Sequence, residues 1–284
     1  MHVLSHASAR PLRQSFVAIG MLLTTAATLR GDESTSRQVE GRFRSGPAEV
    51  RAFRFEPAGS GRQPAVILLH GADGWAQFDA YRFAADGLTA CRCVAVLVRY
   101  YDRTGTADGV SEAQRTEFVR WLKGEAAGAA GRRARWHLSE WSAAVVDAVE
   151  YARSLPNVDP KRVAVVGFSL GGYVALAAAP ACDPPVRAVV EMFGGLPEEL
   201  RKTLGNLPPT LIVHGEEDTV VPVTEAYKAA GFVAAQKQYV EIDVRKGVGH
   251  VFARPGTMLP DVAELVRGRD RMAVFLTQRL APHR

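Results

Sequence analysis

Three residues, in a fixed order along the chain, could together do nucleophilic chemistry. The first is Ser169, in Gly167-Phe168-Ser169-Leu170-Gly171, a G-x-S-x-G sequence. A serine hydroxyl is a poor nucleophile at neutral pH and needs a histidine base, itself held by a carboxylate. Asp218 follows the apolar run that ends in His214-Gly215, and His250 follows Lys246-Gly247-Val248-Gly249. Serine, then acid, then histidine is the order in which strand-end loops of one open sheet deliver such a trio. Glu191 and Glu217 are the competing acids, although Glu217, like Glu216, reads as a solvated neighbour of Asp218. The other histidines fit the order worse: His283 is terminal, His214 precedes the acid, and His137 precedes the serine. A developing oxyanion would be met by the N–H of Leu170, at the start of the helix after the serine. The second donor is the N–H of Ala72, in the glycine-rich loop His70-Gly71-Ala72-Asp73-Gly74-Trp75. His70 itself reads as a packed loop residue.

The elements that must position these groups are written in the same sequence. Arg162-Val163-Ala164-Val165-Val166-Gly167-Phe168 is a β-branched, apolar run, the pattern of a strand buried on both faces. Tyr173 to Ala179 reads as a tightly packed helix, stopped at Pro180. Strand, G-x-S-x-G and helix form a sharp elbow, and glycines flank the serine because strand and helix run too close for side chains.

Elsewhere, Val50 to Phe55 alternates like a half-exposed antiparallel edge strand, and Ala65 to Leu69 is a buried strand. Phe78 to Ala90 forms a helix and Val94 to Val98 a strand. The cluster Arg99 to Arg103 follows that strand at the edge where open sheets bind ligands, so Tyr101 and Trp75 are candidates to line a substrate site. Thr104 to Arg135 shows one helix, Ser111 to Ala126, and a Gly/Ala/Arg stretch that reads as a solvated loop, with a mobile rim as the alternative. Ser139 is the expected N-cap of a helix from Glu140 to Ser154. Strands at Val186 to Val190, Pro209 to His214 and Tyr239 to Val244 then alternate with helices at Pro222 to Ala235 and Val262 to Leu280. Repeated βα units predict an α/β fold, a mostly parallel central sheet with helices on both faces.

With 284 residues, 47% hydrophobic and 23% charged, the chain can bury one large core. The net charge of +5 comes from scattered arginines and gives no nucleic-acid footprint. The three cysteines read as small buried hydrophobes, with Cys91 and Cys93 on one face and unable to bond to each other. No C-x-x-C or H-E-x-x-H sequence occurs, so neither a metal nor another cofactor is expected. Met1 to Arg30 combines Arg10 and Arg13, an apolar run from Phe16 and small residues after it, the three regions of a signal peptide. Residues 31–46 read as a linker and 47–284 as the folded domain. The expectation is export to the periplasm or beyond, with no stable membrane association after cleavage; a cytoplasmic protein is the alternative if the segment is not a signal.

Gly-Phe-Ser-Leu-Gly-Gly at Ser169, His-Gly-Glu-Glu-Asp-Thr-Val-Val-Pro at Asp218 and Gly-His-Val-Phe-Ala-Arg-Pro-Gly at His250 resemble the dienelactone hydrolase family of α/β-hydrolases. The resemblance covers essentially the whole chain after the leader. It implies the α/β-hydrolase fold, a small-molecule ester or lactone substrate, and two arginines that hold a substrate carboxylate. The matching positions are Arg254 and Arg103. Two departures stand out: the family's namesake enzymes carry a cysteine at the position of Ser169 and a glutamate at that of Gly71. A plain Ser–His–Asp serine hydrolase is therefore expected, with carboxylate-bearing substrates favoured. A peptidase or acyltransferase on the same residues is the first alternative. A catalytically silent binding protein is the second, and the complete trio argues against it.

Overall fold

One of the two central strands of the sheet leads directly into the serine. In this computed structural model, which describes residues 36–106, 112–122, 128–257 and 259–282, eight strands form one sheet. They are β1 (Arg37–Ser45), β2 (Ala48–Glu56), β3 (Gln63–Leu69), β4 (Val94–Val98), β5 (Val158–Phe168), β6 (Val189–Met192), β7 (Thr210–Gly215) and β8 (Val240–Arg245). Their order is β1-β2-β4-β3-β5-β6-β7-β8. β2 is antiparallel to both β1 and β4, and every other pair is parallel. Among the described residues, seven α-helices accompany the sheet: α1 (Phe78–Ala90), α2 (Glu112–Leu122), α3 (Gly128–Ser154), α4 (Leu170–Ala178), α5 (Glu198–Arg201), α6 (Val223–Ala235) and α7 (Val262–Arg279). This is the expected mostly parallel sheet of an α/β-hydrolase fold. The N-terminal segment read as a signal peptide lies outside the described residues.

Strand periodicity divides the core in two. Ala65, Ile67 and Leu69 face the layer built from α3, α4 and α6, where Leu138, Trp141, Val145 and Val174 pack. Val66 and Leu68 face the opposite layer, with Leu88 of α1 and Met272, Phe275 and Leu276 of α7. β3 and β4 are buried along their whole length, which is why they are continuous apolar runs with no alternation.

Two expectations need correction here. The segment read as a linker, residues 31–46, contains β1, and β2 is consequently an inner strand. β1 escapes a strong hydrophobic pattern because one face carries Gln38, Glu40, Arg42 and Arg44 and the other dilutes Val39 and Phe43 with Arg37, Gly41 and Ser45. Its order comes from cross-strand pairs, Arg37 with Glu56 at 2.8 Å and Arg42 with Glu49 at 2.9 Å, and from Phe43 stacked on Tyr151 at 5.1 Å. From Gly128 onward, the soft stretch before Arg135 is likewise no loop: it is the first part of α3, a 27-residue helix in which Ser139 is an interior position. Alanine and arginine are strong helix formers, and Gly131, Ala134, Leu138 and Trp141 continue one buried face across the supposed cap. One of the three cysteines also differs from expectation. Cys91 is exposed at the end of α1, while Cys93 and Cys182 are buried, with burial pushing their thiols up to about 12 and about 11.

Candidate active site

The chain turns from β5 into α4 at Ser169, whose φ of 52° and ψ of −117° lie in a region that L-residues avoid. The surroundings over-determine this strained backbone. A Cβ on Gly171 would sit 2.5 Å from the carbonyl oxygen of Leu69, and one on Gly167 would sit 2.0 Å from that of Gly171. No side chain fits at either glycine. The Ser169 N–H also donates to the Met192 carbonyl at 2.7 Å, fastening the turn to β6.

The loops after β7 and β8 bring the acid and the histidine to this point. Ser169 Oγ lies 3.0 Å from His250 Nε2, and His250 Nδ1 lies 2.7 Å from Asp218 Oδ2. Asp218 Oδ1 accepts the N–H groups of Val220 and Val221 at 2.9 and 2.8 Å. Behind it stands buried His214, whose Nε2 is 2.8 Å from the Val221 carbonyl and 3.3 Å from Asp218 Oδ2. Burial on its own would push the Asp218 carboxyl up. Hydrogen bonds from His214, His250 and the Val221 N–H, with the charge of His250, outweigh it and hold the group at about 2. His214 is also desolvated, which lowers its pKa, yet the bond to Asp218 and the nearby Glu191 charge leave it raised overall. The competing acid Glu191 does not reach His250. Its Oε1 accepts the Gly194 N–H, and burial pushes the carboxyl up to about 7.

A cavity of about 290 Å³ opens at Ser169 and His250. Ala72 is on its wall, as expected of the loop after β3, and the neighbouring Gly71 N–H is already engaged with the Tyr81 hydroxyl at 2.8 Å. Four expected substrate contacts are not on the wall. Arg103 is held at 2.8 Å by Glu140, at 3.2 Å by Asp147 and at 2.6 Å by the Ser45 hydroxyl, all on the α3 side of the sheet. Arg254 is 63% exposed and pairs with Asp261 at 3.4 Å. Tyr101 is fully buried, edge-on to the ring of His70. Trp75 packs on Phe53 and Phe78, with the guanidinium groups of Arg51 and Arg99 over its ring. Tyr101 and Trp75 were expected from their place near strand ends and Arg103 and Arg254 from the family resemblance, and in all four the side chain is engaged away from the cavity wall.

The wall is instead made by residues that motif reading did not single out. α1 and its N-cap contribute Gln77, Ala80, Tyr81 and Ala84, with Phe83 beside them, and α7 contributes Leu265, Arg269 and Met272. Both sets follow the i, i+3, i+4, i+7 spacing of one helix face. That spacing was available in the sequence, but it is shared by every core-facing helix.

A family model described as the dienelactone hydrolase family matches residues 50–278. Among curated relatives, the quorum-quenching protein AidA of Acinetobacter baumannii is 30% identical over 152 residues, 52% of this chain but only 41% of that relative. The esterase of Pyrobaculum calidifontis superposes with a TM-score of 0.67 at 17% identity, covering 97% of this chain and 95% of its own. The dienelactone hydrolase of Anabaena variabilis gives 0.63 at 18% identity, covering 87% and 99%. The two superpositions speak to the fold, and the family model speaks to descent across most of the described domain. The chain belongs to the dienelactone hydrolase family and is a carboxylic ester hydrolase.

Proposed function

We propose that the protein hydrolyses carboxylic esters or lactones through Ser169, His250 and Asp218, by way of an acyl-enzyme. The observation that carries this reading is the continuous chain from Ser169 Oγ to His250 at 3.0 Å and from His250 to Asp218 at 2.7 Å, set on a strained strand–helix turn. Ser169 Oγ attacks the carbonyl carbon while its proton passes to His250 Nε2. The C–O bond to the alcohol then breaks, and the imidazolium returns that proton to the departing oxygen. Water repeats the sequence on the acyl-enzyme, giving its proton to His250 and releasing the acid and free Ser169. Asp218 keeps Nδ1 protonated and stabilises the transient imidazolium. The N–H groups of Leu170 and Ala72 meet the oxyanion, at ~3 kcal/mol for each donor in such sites.

A preference for carboxylate-bearing substrates, implied for Arg103 and Arg254 by resemblance, loses its support because both cations are paired elsewhere. A fluorophosphonate probe tests the nucleophile: the adduct is expected on the peptide containing Ser169 and absent from Ser169→Ala. That variant loses several powers of ten in ester turnover. Equal labelling of the two proteins rejects the assignment.

A further inference from the structure

The cavity at Ser169 has a character of its own. It runs between α1 and α7, and its wall includes Ala80, Ala84, Phe168, Met192, Leu265 and Met272. The small residues Ala80 and Ala84 on α1 leave the gap, and the larger Leu265 and Met272 of α7 face it. One end is the nucleophile. The wall also includes Phe83 and Arg269, whose guanidinium lies over the Phe83 ring at 4.5 Å. Gly87 makes room for the Arg269 stem, since a Cβ there would come within 2.6 Å of Cδ.

The charges around this slot do not favour an anion. Arg269 is the cationic side chain on the wall, and it donates from Nε and one terminal nitrogen to Asp270 Oδ1 at 3.0 and 2.9 Å. Its charge is partnered by Asp270, and its guanidinium lies over Phe83. At the mouth, Asp73 also lines the cavity, its Oδ1 accepting the Tyr81 hydroxyl at 2.7 Å. A Cβ on Gly71 would sit 2.7 Å from that oxygen and 3.4 Å from the Ser169 Cβ, so the Asp73 carboxyl group and Ser169 flank the same glycine.

Resting on the esterase reading above, we infer that the substrate is a neutral ester or lactone with one unbranched apolar arm lying in the α1–α7 slot. A cavity of about 290 Å³ is at the small end for ligand sites. At roughly 30 Å³ for each water-sized heavy atom, it holds on the order of ten of them. The arm is therefore of medium length, neither acetyl nor a long fatty chain. It can belong to the acyl or to the alcohol part of the ester.

The experiment is a kcat/KM profile of the whole protein on two series: p-nitrophenyl esters from acetate to decanoate, and alkyl acetates from ethyl to octyl. A third arm is a p-nitrophenyl ester of matched length that ends in a free carboxylate. The expected result is a gain of at least tenfold from two carbons to six or eight in one series, which also identifies the arm that occupies the slot. The terminal carboxylate is expected to cost at least tenfold. Ala84→Phe fills the slot and abolishes most of the gain, read as the ratio of long to short substrate. If that variant does not fold, Met272→Phe narrows the slot from the α7 wall and is read the same way. A flat profile in both series, a preference for the carboxylated ester, or a folded slot variant with an unchanged ratio each overturns this inference alone. Absence of turnover on every ester overturns the catalytic reading with it.

Discussion

The ends of β6 and β7 lie side by side in the sheet, and each presents a buried carboxyl group, Glu191 and Asp218. Both are desolvated, yet the Asp218 carboxyl is held at about 2 and that of Glu191 is pushed up to about 7. The difference lies in the donors. Asp218 receives two backbone N–H groups and faces two imidazoles. Glu191 receives the Gly194 N–H, while its Oε2 is without a partner among the described residues. Burial depth therefore does not decide which acid serves a histidine. The loop after β7 folds back over its own aspartate with N–H groups, and the turn after β6 offers a single donor. A carboxylate kept charged stabilises an imidazolium, and one close to neutrality does not.

Asp218→Asn should break the comparison outright. It offers an amide to His250 Nδ1 and imposes the wrong tautomer, so kcat falls by roughly 10⁴ with the fold retained. Near-normal turnover in that variant, with loss in Glu191→Gln, would reverse the two assignments.

His214→Leu should have an intermediate effect. It removes a hydrogen bond to a charged group of ~1.5–3 kcal/mol, so kcat falls ten- to a hundredfold. The loss is expected in kcat with KM little changed, since His214 acts through Asp218 and does not line the cavity. An unchanged kcat makes His214 a packing residue only.

Glu191→Gln should leave turnover within a few-fold, since an amide oxygen still accepts the Gly194 N–H. Its signature is in stability. A carboxyl group raised from 4.5 in the unfolded chain to about 7 in the fold costs nothing when both states are protonated. Stability is therefore fully present below pH 4.5 and is lost as pH rises through 7, by up to ~3 kcal/mol. Urea unfolding of wild type and variant at pH 5 and pH 8 checks this: the wild type should lose more over that interval. Parallel losses would show that Glu191 is already ionised in the fold.

Much of this was legible in the chain. The elbow could be read because its requirements are local: a strand buried on both faces, small residues at fixed offsets and a helix at once. Asp218 and His250 could be ordered because each follows a recognisable strand. What failed was long-range in origin. β1 is held by ion pairs and by Tyr151 of α3, neither of which leaves a hydrophobic period. Arg103 follows the strand end expected of a ligand contact, but Asp147 and Glu140, some forty residues on, claim it. The slot between α1 and α7 could not be read at all. Its walls come from helices nearly two hundred residues apart, and an alanine that opens a cavity is written like an alanine that fills a core.

The charged face that hid β1 has a further effect on how the molecule meets copies of itself. β1 is an outer strand of the sheet, with a row of backbone donors and acceptors that a strand from another chain could pair with. Gln38, Glu40, Arg42 and Arg44 line its exposed face. The opposite edge, β8, carries Glu241, Asp243 and Arg245 in alternation. Extending the sheet at either end would place a newcomer beside a file of ionised side chains, so both ends resist the edge-to-edge pairing that begins sheet aggregation.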